Sequence, residues 1–191
     1  MGKAKLVFEY SVMNAGKTLE LLKMNFNYTS IGTKTLLVKS ALDTRDTQIV
    51  SRIGLKADCE SLSVTDDTYE LYKDTDATII LIDEAQFLTK EQVHGLRKLV
   101  DFENKTVVCF GLRSNFKGDL FEGSSALFAR SDKIVESKTV CHCGGKATMV
   151  LKFDSDTGAV FKTGAEIDTG GEDKYISVCH YHWATNNIGK K

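Results

Sequence analysis

Hydrophobic residues come in short runs with helical stretches between them. Residues 6–10, 35–38, 78–82 and 106–110 each predict a strand, and Ile79-Ile80-Leu81-Ile82 has the uninterrupted aliphatic character of a strand buried on both faces. Leu19, Leu22 and Phe26 fall at helical spacing after the first strand. Before the fourth strand, Thr89-Lys90-Glu91-Gln92 has capping-box form, with Val93, Leu96 and Val100 following on one helical face. A shorter helix is predicted over residues 66–72. Strands alternating with helices predict an α/β fold: a parallel sheet with right-handed crossovers.

The texture changes near Lys138. From there the chain is rich in turns (Asp154-Ser155-Asp156-Thr157-Gly158 and Gly170-Gly171) and shows no long helical period. We divide the chain into an α/β unit over residues 1–137 and a small loop-and-hairpin module over residues 138–191. A module of about 50 residues needs a staple to be stable.

Composition narrows the setting. With 191 residues, 42% of them hydrophobic, the chain can build one α/β domain and an appendage. A formal net charge of −1 offers no electrostatic reason to expect a nucleic-acid or anionic-membrane partner. The N-terminus lacks the apolar run of a secretory leader, and no stretch reaches membrane-spanning length, so a cytoplasmic protein is expected. Of five cysteines, Cys59 and Cys109 stand alone and read as small core residues.

The chemistry is concentrated at three places. Ser11-Val12-Met13-Asn14-Ala15-Gly16-Lys17-Thr18 links the first strand to the first helix, an arrangement that turns backbone N–H groups and a helix N-terminus toward an anion. Lys17 would reach the β- and γ-phosphates, and the Thr18 hydroxyl would ligate Mg²⁺. Ser11 stands where the first glycine of the usual phosphate loop belongs, so a differently shaped turn is expected, because serine penalises positive φ. Asp83 and Glu84 close the third predicted strand, where open α/β sheets place their ligands. Asp83 fits a magnesium-holding role, which leaves Glu84 free as a general base. Together these predict a P-loop NTPase-like sheet flanked by helices. Taken alone, the loop has a bland alternative in a capped helix after a core strand, and the acidic pair one in a solvated strand end; coupled, they favour the nucleotide reading.

The third place is the C-terminal cluster. Cys141-His142-Cys143 and Cys179-His180-Tyr181-His182 supply two ligand pairs. Cys141, Cys143, Cys179 and His182 would make a closed Cys₃His zinc site, hence a structural one. The C-x-x-H spacing favours His182 over the neighbouring histidines.

These motifs together resemble the tetrameric, zinc-containing thymidine kinases. The resemblance rests on residues 11–18, on Asp43-Thr44-Arg45, on Asp83-Glu84-Ala85-Gln86-Phe87, on Gly111-Leu112-Arg113-Ser114-Asn115-Phe116, on Gly170-Gly171-Glu172-Asp173-Lys174-Tyr175, and on the paired cysteine clusters. Serine at position 11 is similar to a variant of one bacterial branch of that family. The resemblance implies phosphoryl transfer from ATP to the 5′-hydroxyl of thymidine, and of deoxyuridine, within nucleotide salvage. It implies a nucleotide site of residues 11–18 with Asp83, Glu84, Ala85 and Gln86, and Glu84 as the proton acceptor. Asp43 and Arg45 would assist at the metal and the sugar. Met13, Phe87, Leu112, Phe116, Phe121 and Tyr175 would wall the base, with backbone groups of Glu166, Ile167 and Asp168 bonding its edge from a lasso loop pinned at both ends by zinc. Core packing is the competing reading for each aromatic. A homotetramer follows from the family alone. Two rival readings accommodate the same motifs: a P-loop ATPase whose zinc module contacts nucleic acid or protein, and a non-catalytic zinc-ribbon binding protein.

Overall fold

The computed structural model describes residues 3–40, 47–164 and 174–189. In chain order the elements are β1 (Leu6–Ser11), α1 (Lys17–Thr29), β2 (Thr35–Ser40), β3 (Gln48–Val50), β4 (Lys56–Asp58), β5 (Glu60–Leu62), α2 (Thr68–Tyr72) and β6 (Ile79–Asp83). A 3₁₀ turn (Ala85–Phe87), α3 (Lys90–Phe102), β7 (Thr106–Leu112), α4 (Glu122–Arg130) and β8 (Lys133–Glu136) follow. The C-terminal part holds β9 (Thr139–Val140), β10 (Lys146–Ala147), β11 (Met149–Phe153), β12 (Val160–Phe161), β13 (Tyr175–Val178) and α5 (His180–Ala184).

Six strands form one parallel sheet in the order β5-β2-β6-β7-β1-β8. Because all six run the same way, the ends of β1, β6 and β7 emerge along one edge, and Ser11 lies opposite Leu112 in register. β6 is buried throughout. Its side chains alternate between two cores, as the two-residue period of a strand demands. Ile80 and Ile82 join Phe8, Val93, Leu96 and Leu99 on the side of α3, while Ile79 and Leu81 join Leu21, Leu37, Val108 and Phe110 on the side of α1. Thr89 and Gln92 form the capping box of α3 in both directions. The third cluster belongs to the C-terminal part, a three-stranded antiparallel sheet β12-β11-β13 beside the β9–β10 hairpin.

Several expectations are corrected. The inward face of α1 keeps only part of the expected set: Leu22 is buried in the core, but Phe26 is 69% exposed, and Leu21, Met24 and Tyr28 pack on the core beside Leu22. The reason is Lys17, which opens the helix and is buried. Once residue 17 must face inward, positions 21, 24 and 28 follow it on the same face. Cys109 is fully buried as expected, whereas Cys59 is only half-buried. The edge strand β8 and the β3–β4 hairpin were not foreseen. The helix expected over residues 66–72 begins at Thr68, with Asp67 as its N-cap.

Candidate active site

The loop after β1 is shaped by two left-handed residues, Asn14 at φ 65° and Gly16 at φ 80°. A Cβ on Gly16 would meet nothing within 4 Å, so glycine is needed there for its backbone freedom rather than for space. Ser11 has no positive φ, which corrects the expectation that serine reshapes the turn through strain. Its hydroxyl instead donates to the Val12 carbonyl at 2.6 Å and accepts from Lys17 Nζ at 2.9 Å. Serine therefore acts as a holder for the lysine. Burial pushes the Lys17 ammonium below its ordinary range, and the carboxylates of Glu84 and Asp83 draw it part of the way back.

Across the sheet edge, Asp83 ends β6 and is 3% exposed. It accepts from Thr18 Oγ1 at 3.2 Å and from the Glu84 backbone N–H at 3.1 Å. Burial, reinforced by the neighbouring Glu84 charge, raises its carboxyl to about 6. A buried carboxylate and hydroxyl this close offer the hard oxygen donors that Mg²⁺ takes. Glu84 itself has a left-handed backbone, φ 54° and ψ 35°, unusual for a residue with a side chain.

Two cavities meet here. One, of about 310 Å³, is lined by Met13, Asn14, Gly16, Lys17, Thr18 and Asp83, with Arg52 and Ile53 of the β3–β4 connection on its far wall. The other, of about 170 Å³, is walled by Met13, Phe87, Leu112, Phe116, Phe121 and Tyr175, all six residues expected there. Phe87 and Phe121 stand edge to face at 6.0 Å, and Phe116 faces Tyr175 at 6.4 Å. Met13, Glu84 and Leu112 line both cavities. The larger cavity beside α2 and α3, about 490 Å³, lies among Asp66, Thr89, His94 and Lys98 and shares none of these residues.

The remaining expected positions sort as follows. Val12 and Ala15 belong to the loop, with Val12 buried against the C-terminal cluster and Ala15 on the cleft wall. Ala85 is fully buried in the α3-side core, so its side chain does not face the cleft. Gln86 lines the aromatic cavity rather than the phosphate cleft. Asp43, Arg45, Glu166, Ile167 and Asp168 lie outside the described residues. Sequence reasoning missed Asn115 and Val150 as cavity walls, and Ser51, Arg52 and Ile53 over the cleft. A hairpin of short, mostly exposed strands carries no strong periodic signal that would have located them.

At the C-terminal cluster, ligand atoms of Cys141, Cys143, Cys179 and His182 all lie within 4.8 Å of one another. His182 Nδ1 is 3.2 Å from Cys141 Sγ and 3.3 Å from Cys179 Sγ, near the edge length of a tetrahedron with metal bonds of about 2.0–2.3 Å. His182 is the histidine grouped with the three thiols, while His142 stacks on its ring at 4.2 Å with Nδ1 3.7 Å from Cys141 Sγ, and His180 pairs with Trp183. Burial opposes ionisation of Cys141, but the N–H groups of Cys143 and Cys179 and the His182 ring outweigh it and bring the thiol down to about 6. Such a set suits zinc. The C-terminal part bonds to cavity walls, the Trp183 indole donating to the Phe116 carbonyl at 3.0 Å and Ser177 Oγ to the Met13 carbonyl at 2.7 Å, and Arg113, just after β7, donates to the Thr148 carbonyl at 2.6 Å.

Comparison with known proteins agrees with this geometry. A family model described as thymidine kinase matches residues 4–183. The chain is 44% identical over 186 residues to a thymidine kinase of Photobacterium profundum, covering 94% of this chain and 96% of that protein. It is 44% identical over 195 residues to one of Photorhabdus laumondii, covering 98% and 96%. A thymidine kinase of Enterobacteria phage T4 is 44% identical over 194 residues, with 98% of both chains covered.

Proposed function

The chain belongs to the thymidine kinase family, and from that premise we propose that it transfers the γ-phosphoryl group of ATP to the 5′-hydroxyl of thymidine. The observation that carries the reading is the junction of the two cavities. A charged cleft built for phosphates and a flat aromatic slot suited to a pyrimidine open onto the same carboxylate, Glu84.

In this reading the loop of residues 11–18 cradles the triphosphate, and Lys17, held by Ser11, balances charge on the transferring group. Thr18 and Asp83 would hold Mg²⁺, which would supply neutralisation of the phosphate charge. Glu84 accepts the proton of the 5′-hydroxyl as its oxygen bonds to the γ-phosphorus. The bond from that phosphorus to the β–γ bridging oxygen breaks, and ADP leaves with the electron pair. Asp43 and Arg45 assist at the sugar, and backbone groups at Glu166, Ile167 and Asp168 bond the base edge. Cys141, Cys143, Cys179 and His182 would hold zinc, which would pin the two segments that flank the lasso. The division near residue 137 is part of the reading, supported by the last contact of the main sheet, Ser137 N–H to the Tyr10 carbonyl. The same reading carries a cytoplasmic homotetramer that also accepts deoxyuridine, with exposed Phe26, Ile31 and Phe102 available for subunit contacts. Among the described residues no helix is long and apolar enough to cross a membrane.

The test is labelled thymidine with Mg-ATP, run beside deoxycytidine and a control without nucleoside. A 5′-monophosphate formed from thymidine and none formed from deoxycytidine is the expected result. ATP hydrolysis at the same rate in all three would replace the kinase by an ATPase.

A further inference from the structure

Gln86 was expected on the nucleotide side, yet both ends of its amide are committed elsewhere. Its Nε2 donates to Glu84 Oε2 at 2.5 Å, and its Oε1 accepts from the Leu112 backbone N–H at 2.9 Å. The side chain is only 2% exposed, so water does not compete for either bond. The orientation is not interchangeable. A backbone N–H can only donate, so the amide oxygen must face Leu112, and the nitrogen is thereby forced toward Glu84. Space for this arrangement comes from Gly111, where a Cβ would lie 2.9 Å from the Gln86 backbone nitrogen and 3.1 Å from its Oε1.

We propose that Gln86 is a positioning residue, which holds the Glu84 carboxylate at the junction of the two cavities and away from the cations of the phosphate cleft. A glutamate has three rotatable side-chain bonds, and Glu84 lines both cavities. Lys17 and the bound metal would draw a free carboxylate toward the phosphates, out of reach of the nucleoside hydroxyl. The Gln86 amide is fixed by the end of β7, so it sets the carboxylate in the frame of the sheet. Leu112, the other end of the clamp, is itself a wall of the nucleoside cavity, which ties the position of the base to that of its substrate. Among the residues adjoining the motif, only a side chain with one donor and one acceptor end serves both partners. Glutamate would keep the Leu112 bond but set an anion against Glu84, and methionine would keep the shape and lose both bonds.

This inference rests on the kinase reading, and the experiment separates the two. Glu84→Gln, Gln86→Met and the double variant are compared with the parent protein for thymidine phosphorylation, thymidine KM, nucleotide Kd and thermal melting. If the parent protein phosphorylates no nucleoside, the kinase reading fails. If it does, the clamp predicts that Gln86→Met lowers kcat by about 10- to 100-fold, with KM and nucleotide Kd within about twofold. In the Glu84→Gln background the same change costs less than about threefold, because the group it positions is already gone. An equal loss in both backgrounds, or a loss carried by KM, overturns the proposal. Gln86→Glu runs through the same cycle as the second variant. It retains the Leu112 bond, so its folding does not depend on an unpaired N–H, and the same non-additivity is expected.

Discussion

The phosphate cleft and the C-terminal module reach their geometry by opposite routes. The cleft is assembled from strand ends of a sheet whose central strand is buried throughout, so Lys17, Thr18, Asp83 and Glu84 are placed by a frame that needs no ligand. The module has a small cluster, and one of its buried members, Val12, is borrowed from the phosphate loop. Its two ends are brought together by the pairing of β11 with β13 and by the cluster of three thiols and His182. One region is placed by a large core, and the other by a small cluster, a candidate metal staple and its contacts with the first. Chemistry that moves charge sits on the first, while the wall that must admit and release a nucleoside is shared with the second.

That contrast breaks most sharply at Glu84. Glu84→Gln should lower kcat by about two to four orders of magnitude, the usual contribution of a general base, while nucleotide binding is retained. A steady-state assay with a nucleotide titration checks it, and near-normal turnover would remove Glu84 from the mechanism.

Metal removal should strike the other region. Verified loss of zinc is expected to raise thymidine KM by roughly tenfold and to lower the melting temperature together, with nucleotide Kd changed less than about threefold. Unchanged KM after demonstrated metal loss would show that the staple and the cavity wall are independent.

The core-built region carries a pH signature of its own. The ordinary Asp carboxyl, 3.8, is raised to about 6 at Asp83, so between those values the folded state binds the extra proton. Its contribution therefore favours the metal-free folded state at low pH and is lost as pH rises through about 6. Melting in metal-free buffer from about pH 5 to about pH 7.5 should move the gap between Asp83→Asn and the parent protein by a few degrees toward the variant, equivalent to about 1–3 kcal/mol. A gap that stays constant or moves the other way contradicts the burial argument.

The smallest effect concerns the link between regions. Trp183, the single tryptophan, follows His182 of the candidate zinc site and bonds the Phe116 carbonyl. Trp183→Phe should retain zinc, raise thymidine KM by about two- to fivefold and cost about 1 kcal/mol of stability, the worth of one hydrogen bond. Metal analysis, kinetics and melting together check this.

Much of this was legible in the sequence, for physical reasons that differ by element. Buried parallel strands announce themselves as aliphatic runs, so β1, β2, β6 and β7 were placed to within a residue or two. The aromatic wall came through the family resemblance, because spacing alone does not tell a pocket aromatic from a core one. On α1, Leu22 was read correctly but Phe26 was not, because a buried lysine helps to set the inward face and periodicity counts only apolar residues. Ser11 and Gln86 were located by motif, but their tasks depend on which groups the fold brings opposite: Lys17 for one, Glu84 and Leu112 for the other. Short strands such as β8, with a charged residue at each end, leave too little pattern to read.

The central claim is that a nucleoside hydroxyl and a nucleotide tail meet at one carboxylate, and a crystal structure with thymidine and a non-hydrolysable Mg-ATP analogue measures it directly. The account predicts a Glu84 carboxylate oxygen within about 3 Å of the thymidine 5′-oxygen, with the γ-phosphate on that oxygen's other side. A thymidine bound outside the cavity of Phe87, Phe116 and Tyr175, or a Glu84 turned away from its 5′-oxygen, would contradict it.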